Sequence, residues 1–174
     1  MTAANVAVPS VIVAKVGNGN VTSSDKTISC GSGCTGYYTQ GTAVTLTASP
    51  ASGTVFSGWS GACSGNLLSC SVTVNDPLTV GATFTQLFAL SVGRSNPGTV
   101  TGSPMGADRA LDCGSNCSAK FPNGTTVVLT ATPPAGKQFV NWTGSGAGAC
   151  SLSPVPTCSV VISKDTSIQA NFSK

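Results

Sequence analysis

The chain states one motif twice. Cys30-Gly31-Ser32-Gly33-Cys34 returns as Cys113-Gly114-Ser115-Asn116-Cys117, and Gly41-Thr42-Ala43-Val44-Thr45-Leu46-Thr47-Ala48-Ser49-Pro50 returns as Gly124-Thr125-Thr126-Val127-Val128-Leu129-Thr130-Ala131-Thr132-Pro133. Both recurrences fall 83 positions on, from 30 to 113 and from 41 to 124. A repeat of about half the chain constrains the fold more than any single residue does, because each copy is one supersecondary unit that must find its own way to bury its apolar face. The 174 residues therefore read as two small domains: an arm over 1–10, a first module over 11–86 and a second over 87–174.

Within each copy the apolar residues alternate at period two, the mark of strands with one buried face. Val44, Leu46 and Ala48 answer to Val127, Leu129 and Ala131, with Thr on the other face. Val11–Val16 and Phe88–Val92 open the modules as strands, followed by the turns Gly17-Asn18-Gly19-Asn20 and Asn96-Pro97-Gly98. Gly and Asn tolerate the positive φ of tight turns, so both are expected to close hairpins onto return strands at Val21-Thr22 and Thr99-Val100-Thr101. Phe56 with Trp59, and Phe139 with Trp142, are expected to supply the bulk of two small cores. Val72 and Val74 lead on to Val80, Ala82 and Phe84, and Val160 and Ile162 to Ile168, Ala170 and Phe172. No segment sustains a 3.6-residue period, so the expected architecture is all-β, with five to six short strands per module and no substantial helix. Thr85, Gln86 and Leu87, the only residues between Phe84 and Phe88, lack the Gly/Ser character of a flexible tether and are expected to hold the modules in a stiff pair.

Cysteine use points to the compartment. Eight cysteines, four per copy, in modules too small for a large core read as disulfides and an oxidising, secreted or cell-surface setting. Four cysteines allow three connectivities per module, and sequence alone does not choose among them. Local pairing, Cys30–Cys34, Cys63–Cys70, Cys113–Cys117 and Cys150–Cys158, is favoured because the second copy changes length around one pair without disturbing the other. Such short loops contribute roughly 2–2.5 kcal/mol each on the loop-entropy account. The competing readings are a four-cysteine zinc site per module, whose spacings lack the short Cys-x₂-Cys knuckle and which has no His to draw on, and a cytoplasmic chain of reduced thiols.

Other chemistry is scarce. Eight Lys or Arg stand against five Asp, with no Glu and no His. The cations Lys15, Lys26, Arg94, Arg109, Lys120, Lys137, Lys164 and Lys174 are scattered singly, which argues against a nucleic-acid partner. Without His there is no Ser-His or Cys-His nucleophile pair. Asp25, Asp76, Asp108, Asp112 and Asp165 are isolated and mostly in turns, where Asp bonds its own backbone. No catalytic, metal or cofactor site is expected, and no stretch nears the roughly 20 apolar residues of a membrane span. The adjacent Tyr37 and Tyr38 are the candidate ligand contacts, since in a strand one of the two must point outward. Their counterparts in the second copy are Lys120 and Phe121, so a Tyr platform would belong to the first module alone.

The ordered set Cys-Gly-Ser-x-Cys, Gly-Thr-x-Val-x-Leu-Thr-Ala-x-Pro, Phe-x-x-Trp, a cysteine pair and a final Val/Ile-x-Ala-x-Phe resembles the divergent internalin-type B-repeat of bacterial surface and secreted proteins, twice over residues 11–174. The resemblance implies a small β-grasp-like module or related sandwich, used as a spacer or adhesive repeat, and carries no catalytic residue. It leaves the partner open: a surface glycan, a protein receptor, or further copies in a fibre, whose motive is the arm Thr2–Ser10 ahead of an apolar strand, able to add to a neighbour's open sheet edge. An accessory carbohydrate-binding module of a secreted hydrolase is the alternative from a different class. The copies part company after the tryptophan, where Gly146-Ala147-Gly148 and Pro154-Val155-Pro156 enlarge the second loop, expected to be exposed. Residues 143–157 are therefore where a specialised function is expected.

Overall fold

The computed structural model describes residues 8–31 and 33–174, so most of the arm, residues 1–7, and Ser32 of the first cysteine loop lie outside the described residues. The chain divides into two compact units, Met1–Gln86 and Leu87–Lys174. Among the described residues there are thirteen strands: β1 (Ser10–Val16), β2 (Gly19–Ser23), β3 (Thr35–Tyr37), β4 (Thr42–Pro50), β5 (Thr54–Gly61), β6 (Ser69–Val74), β7 (Leu78–Ser95), β8 (Thr99–Ser103), β9 (Ser118–Pro122), β10 (Thr126–Thr132), β11 (Phe139–Thr143), β12 (Thr157–Val161) and β13 (Thr166–Phe172). A single 3₁₀ turn, Gly148–Cys150, is the only helical piece among them. Ser10, placed in the arm by sequence, is instead the buried first residue of β1.

In the first unit one sheet runs β3-β1-β7-β5, with β1 and β7 parallel and the outer pairs antiparallel. The other is antiparallel, β2-β4-β6. The second unit repeats the plan. The later residues of β7 take the part of β1 in the sheet β9-β7-β13-β11, and β8-β10-β12 form the second sheet. Residues of β7 up to Gln86 pair within the first unit, and those from Leu87 within the second. Each unit thus uses seven strands, one more than the upper expectation. β3, only three residues long, is too short to show alternation.

The expected hairpins do not form. β1 pairs with β3 and β7, while β2 pairs with β4 alone, and every connection in both units passes from one sheet to the other. The same Gly and Asn residues that suit a hairpin suit a corner, and burial decides between them. Val11 and Val13 of β1 and Val21 of β2 belong to one apolar cluster, which they enter from opposite sheets. The corner is built against the last core strand of its unit. Gly17, with φ 81, passes so close that a Cβ there would lie 1.9 Å from the carbonyl oxygen of Phe84. Asn96, with φ 67, holds the matching position in the second unit and donates from Nδ2 to the carbonyl oxygen of Phe172 at 2.8 Å.

Each sandwich closes over one core. Val44, Leu46 and Ala48 of β4 meet Phe56, Trp59, Val80, Ala82 and Phe84 from the facing sheet. In the second unit Val127, Leu129 and Ala131 meet Trp142, Ile168, Ala170 and Phe172. The aromatic residues form a triad in each: Phe56 lies 5.0 Å from Trp59 and 5.4 Å from Phe84, and Phe139 lies 5.1 Å from Trp142 and 5.9 Å from Phe172. These separations are those of favourable tilted or edge-on pairs.

Candidate functional site

The eight cysteines form four disulfides, Cys30–Cys34, Cys63–Cys70, Cys113–Cys117 and Cys150–Cys158, with Cα separations of 4.6, 6.2, 4.2 and 5.7 Å. With every thiol so engaged, neither the zinc-thiolate arrangement nor a chain of reduced thiols is what the structure holds. In both units the first bridge ties the segment between the second and third strands of that unit. The second bridge spans the segment after the tryptophan.

That segment hangs from the tryptophan itself. Trp59 Nε1 donates to the carbonyl oxygen of Leu67 at 2.7 Å, and Trp142 Nε1 to that of Val155 at 3.0 Å. The indole thus has two tasks, filling the core with its rings and pinning a loop with its N–H, which accounts for its presence at the same step in both copies. Leu67 and Leu68 in one unit, and Leu152 and Val155 in the other, are exposed on these loops.

The enlarged second loop is not simply looped out, as sequence led one to expect. Ala147 is buried in the core of its unit, and the loop is bonded to itself and to the neighbouring strands: Cys150 N donates to Ala147 O at 2.8 Å, Gly146 N to Ser167 O of β13 at 2.9 Å, and Leu152 N to Trp142 O of β11 at 2.9 Å. Gly146, Ala147, Ser159, Val161, Lys164 and Thr166 are among the residues lining a cleft of about 290 Å³ between this loop and β12. Sequence reasoning flagged the loop by its change of length. It missed Ala147, because a Gly/Ala segment has no periodicity to betray a buried residue.

The two tyrosines part ways. Tyr37 lies at the edge of its sheet, opposite Ser10, with 69% of its surface exposed. Tyr38 lies just past the strand and turns inward over Gly36 and beside Ile28; a Cβ on Gly36 would be 2.7 Å from the Tyr38 hydroxyl and 2.9 Å from Ile28. That hydroxyl is buried with no hydrogen-bond partner, and burial pushes its pKa above the ordinary phenol value. Tyr37 is thus the outward-facing member of the pair and Tyr38 the half-buried one.

The acids serve their own turns. Asp25 accepts from the hydroxyls of Ser23 and Thr27 and from Thr27 N, and the Ser23 bond above all holds its pKa below the usual carboxylate value despite some opposing desolvation. Ser23 Oγ in turn accepts from Ile28 N at 2.9 Å. At Asp108 desolvation raises the pKa, but the bond from Lys120 N at 2.8 Å, other backbone bonds and the neighbouring Arg109 outweigh it, so the net direction is down. Asp165 accepts from Ala89 N at 2.8 Å. Among the described residues no three His, Cys, Asp or Glu side chains gather as a metal site would need, and no helix is long and apolar enough to cross a membrane.

Comparison with known proteins adds the following. The profile of the divergent InlB B-repeat domain matches residues 10–87 and again 89–174. No curated protein matches the chain. Among solved structures, the Bacillus anthracis TIE protein aligns with 95% of this chain and 34% of its own at 11% identity and TM-score 0.31. A Streptococcal ancillary pilin aligns with 97% of this chain and 63% of its own at 12% identity and TM-score 0.31. The chain thus spans about a third of one and under two thirds of the other, and at these TM-scores neither likeness bears on fold or role.

Proposed function

Since the chain belongs to the divergent InlB B-repeat family, and does so twice over nearly its whole length, we propose that it is a non-enzymatic pair of extracellular repeats acting as a stiff spacer within a secreted or surface-displayed protein. One observation carries the reading. The two units share a seven-strand plan, and the chemistry-bearing side chains of that plan are spent on holding it: cysteines in disulfides, indole N–H groups on loop carbonyls, Asp25, Asp108 and Asp165 on backbone amides. Disulfides belong to oxidising compartments, in keeping with an extracellular place. Stiffness is supported by the sequence of the junction, since Thr85, Gln86 and Leu87 lack the Gly/Ser character of a flexible tether.

Small-angle scattering tests this against a variant carrying a Gly-Ser decapeptide between Gln86 and Leu87. The parent should give a sharply bounded distance distribution that the insertion broadens. Equal breadth in both proteins would dispose of the spacer. The carbohydrate-module reading draws on one feature, the exposed Tyr37. It gains ground only if a glycan array with the whole chain shows binding that Tyr37→Ala abolishes.

A further inference from the structure

We propose that the free edge of β12, with the disulfide-held loop facing it, is a docking groove for an extended peptide bearing an acidic side chain. This goes beyond the spacer reading and stands or falls separately from it. β12 has one strand neighbour, β10. Just past β12, Ile162 directs both its backbone groups toward that side: its N–H donates to Thr125 O at 2.8 Å and its C=O accepts from Gly124 N at 2.7 Å. Direction alternates along an antiparallel strand, so Val160 and Cys158 share it, while Val161, Ser159 and Thr157 aim their N–H and C=O groups at the open side. Such a row is what a second strand recognises, main chain to main chain.

Two further features bear on this edge. First, the cleft of about 290 Å³ runs beside Ser159 and Val161, and its far wall is the loop through Gly146 and Ala147. That wall is fixed by the Cys150–Cys158 bridge, by the buried Ala147 and by the Leu152 bond to Trp142, so little ordering is needed when a strand enters. Second, Lys164 is the only charged side chain lining the cleft. In the first copy the aligned residue, 88 positions earlier, is Asp76, and the loop after the tryptophan is shorter. The longer loop and the cation are both features of the second copy, and the charge suits an acid. No aromatic side chain lines it, so it lacks the stacking face a sugar ring would use.

The test is ¹⁵N NMR of the whole 174-residue chain with a capped heptapeptide that alternates threonine and valine around a central glutamate. Saturable shifts are expected at the amides of Gly146, Ala147, Ser159 and Val161. Replacing the peptide glutamate by glutamine, or Lys164→Gln in the protein, should weaken binding by about threefold, the scale of an exposed ion pair. N-methylation of alternate peptide amides should abolish it. Ser159→Pro should do the same while leaving the ladder to β10 intact, because the N–H it removes faces outward. The proposal is overturned by an absence of saturable shifts at these amides with millimolar peptide, by equal binding of the N-methylated peptide, or by saturation of the same amides with an acidic oligosaccharide in place of the peptide.

Discussion

In the first unit Cys63 is buried and its partner Cys70 half-buried; in the second, Cys158 is buried, Cys150 is half-buried, and Ala147 joins the core. The two units therefore close the same corner of the same sandwich with different residues. The first unit buries the earlier cysteine of the pair, and the second buries the later one together with Ala147. The lengthened loop also forms one wall of the cleft beside β12, so the place where the copies differ in length borders a cleft.

The largest effect should come from the tryptophans. Trp142→Ala and Trp59→Ala each remove a core ring and a loop anchor and should cost about 3–5 kcal/mol, with Trp142, which has no exposed surface, at the upper end. Urea denaturation followed by amide resonances of each unit measures both. A clearly larger loss at Trp59 would break the expectation, drawn from its complete burial, that Trp142 carries the greater load. A sharper contrast lies in two alanines near the tryptophans. Ala147→Leu overfills a core and should cost about 1–3 kcal/mol, whereas Ala62→Leu, on an exposed position of the shorter loop, should stay within about 0.5 kcal/mol; equal shifts in midpoint would show that Ala147 plugs nothing.

The strand pattern and the core were open to reading because they rest on local alternation. Val44, Leu46 and Ala48 declare their buried face to any observer who counts by two, and the spacing of Phe56 and Trp59, kept in Phe139 and Trp142, marks a shared packing need. Sheet assignment was not legible in the same way. Asn18-Gly19 and Pro97-Gly98 look the same whether the chain turns back within a sheet or crosses to the other, and the deciding contacts, with Phe84 and Phe172, lie some 65 to 75 residues away along the chain. The outward edge of β12 was hidden for the same reason, since it follows from pairing with β10. Tyr37 and Tyr38 posed a simple either-or, and the inward choice fell to Tyr38, whose ring lies over Gly36, where no Cβ stands in its way.

The two corner turns offer a finer comparison. Asn96→Ala should cost about 1–3 kcal/mol, the range for an acceptor left without its donor, read as a fall in the thermal midpoint of the second unit. Gly17→Asn should cost more, because its Cβ has no room against Phe84. If Gly17→Asn were neutral, the two corners would be interchangeable and the matching of Gly17 to Asn96 only formal. The smallest effect is electrostatic. Asp25 and Asp108 both have folded pKa values below the ordinary one, so each contributes stability that is present above the unfolded value of about 3.9 and is lost as pH falls through the folded value. Melting should therefore come a little earlier at pH 2–3 than at pH 7, and Asp25→Asn should shrink the difference for the first unit only. A drop that Asp25→Asn leaves untouched would remove Asp25 from the account.

The crossing connections have a consequence for the order in which the chain becomes a protein. In each unit the strand that arrives last takes an inner place: β7 inserts between β1 and β5, and β13 between β7 and β11. Emerging from the ribosome, a unit holds a split sheet until its final strand is made, because β1 waits for a parallel neighbour more than sixty residues away. Contacts so distant are slow to close, and until they do the unfinished edges stand open to other chains. Losing the last strand of either unit would remove the middle of a sheet rather than trim its end.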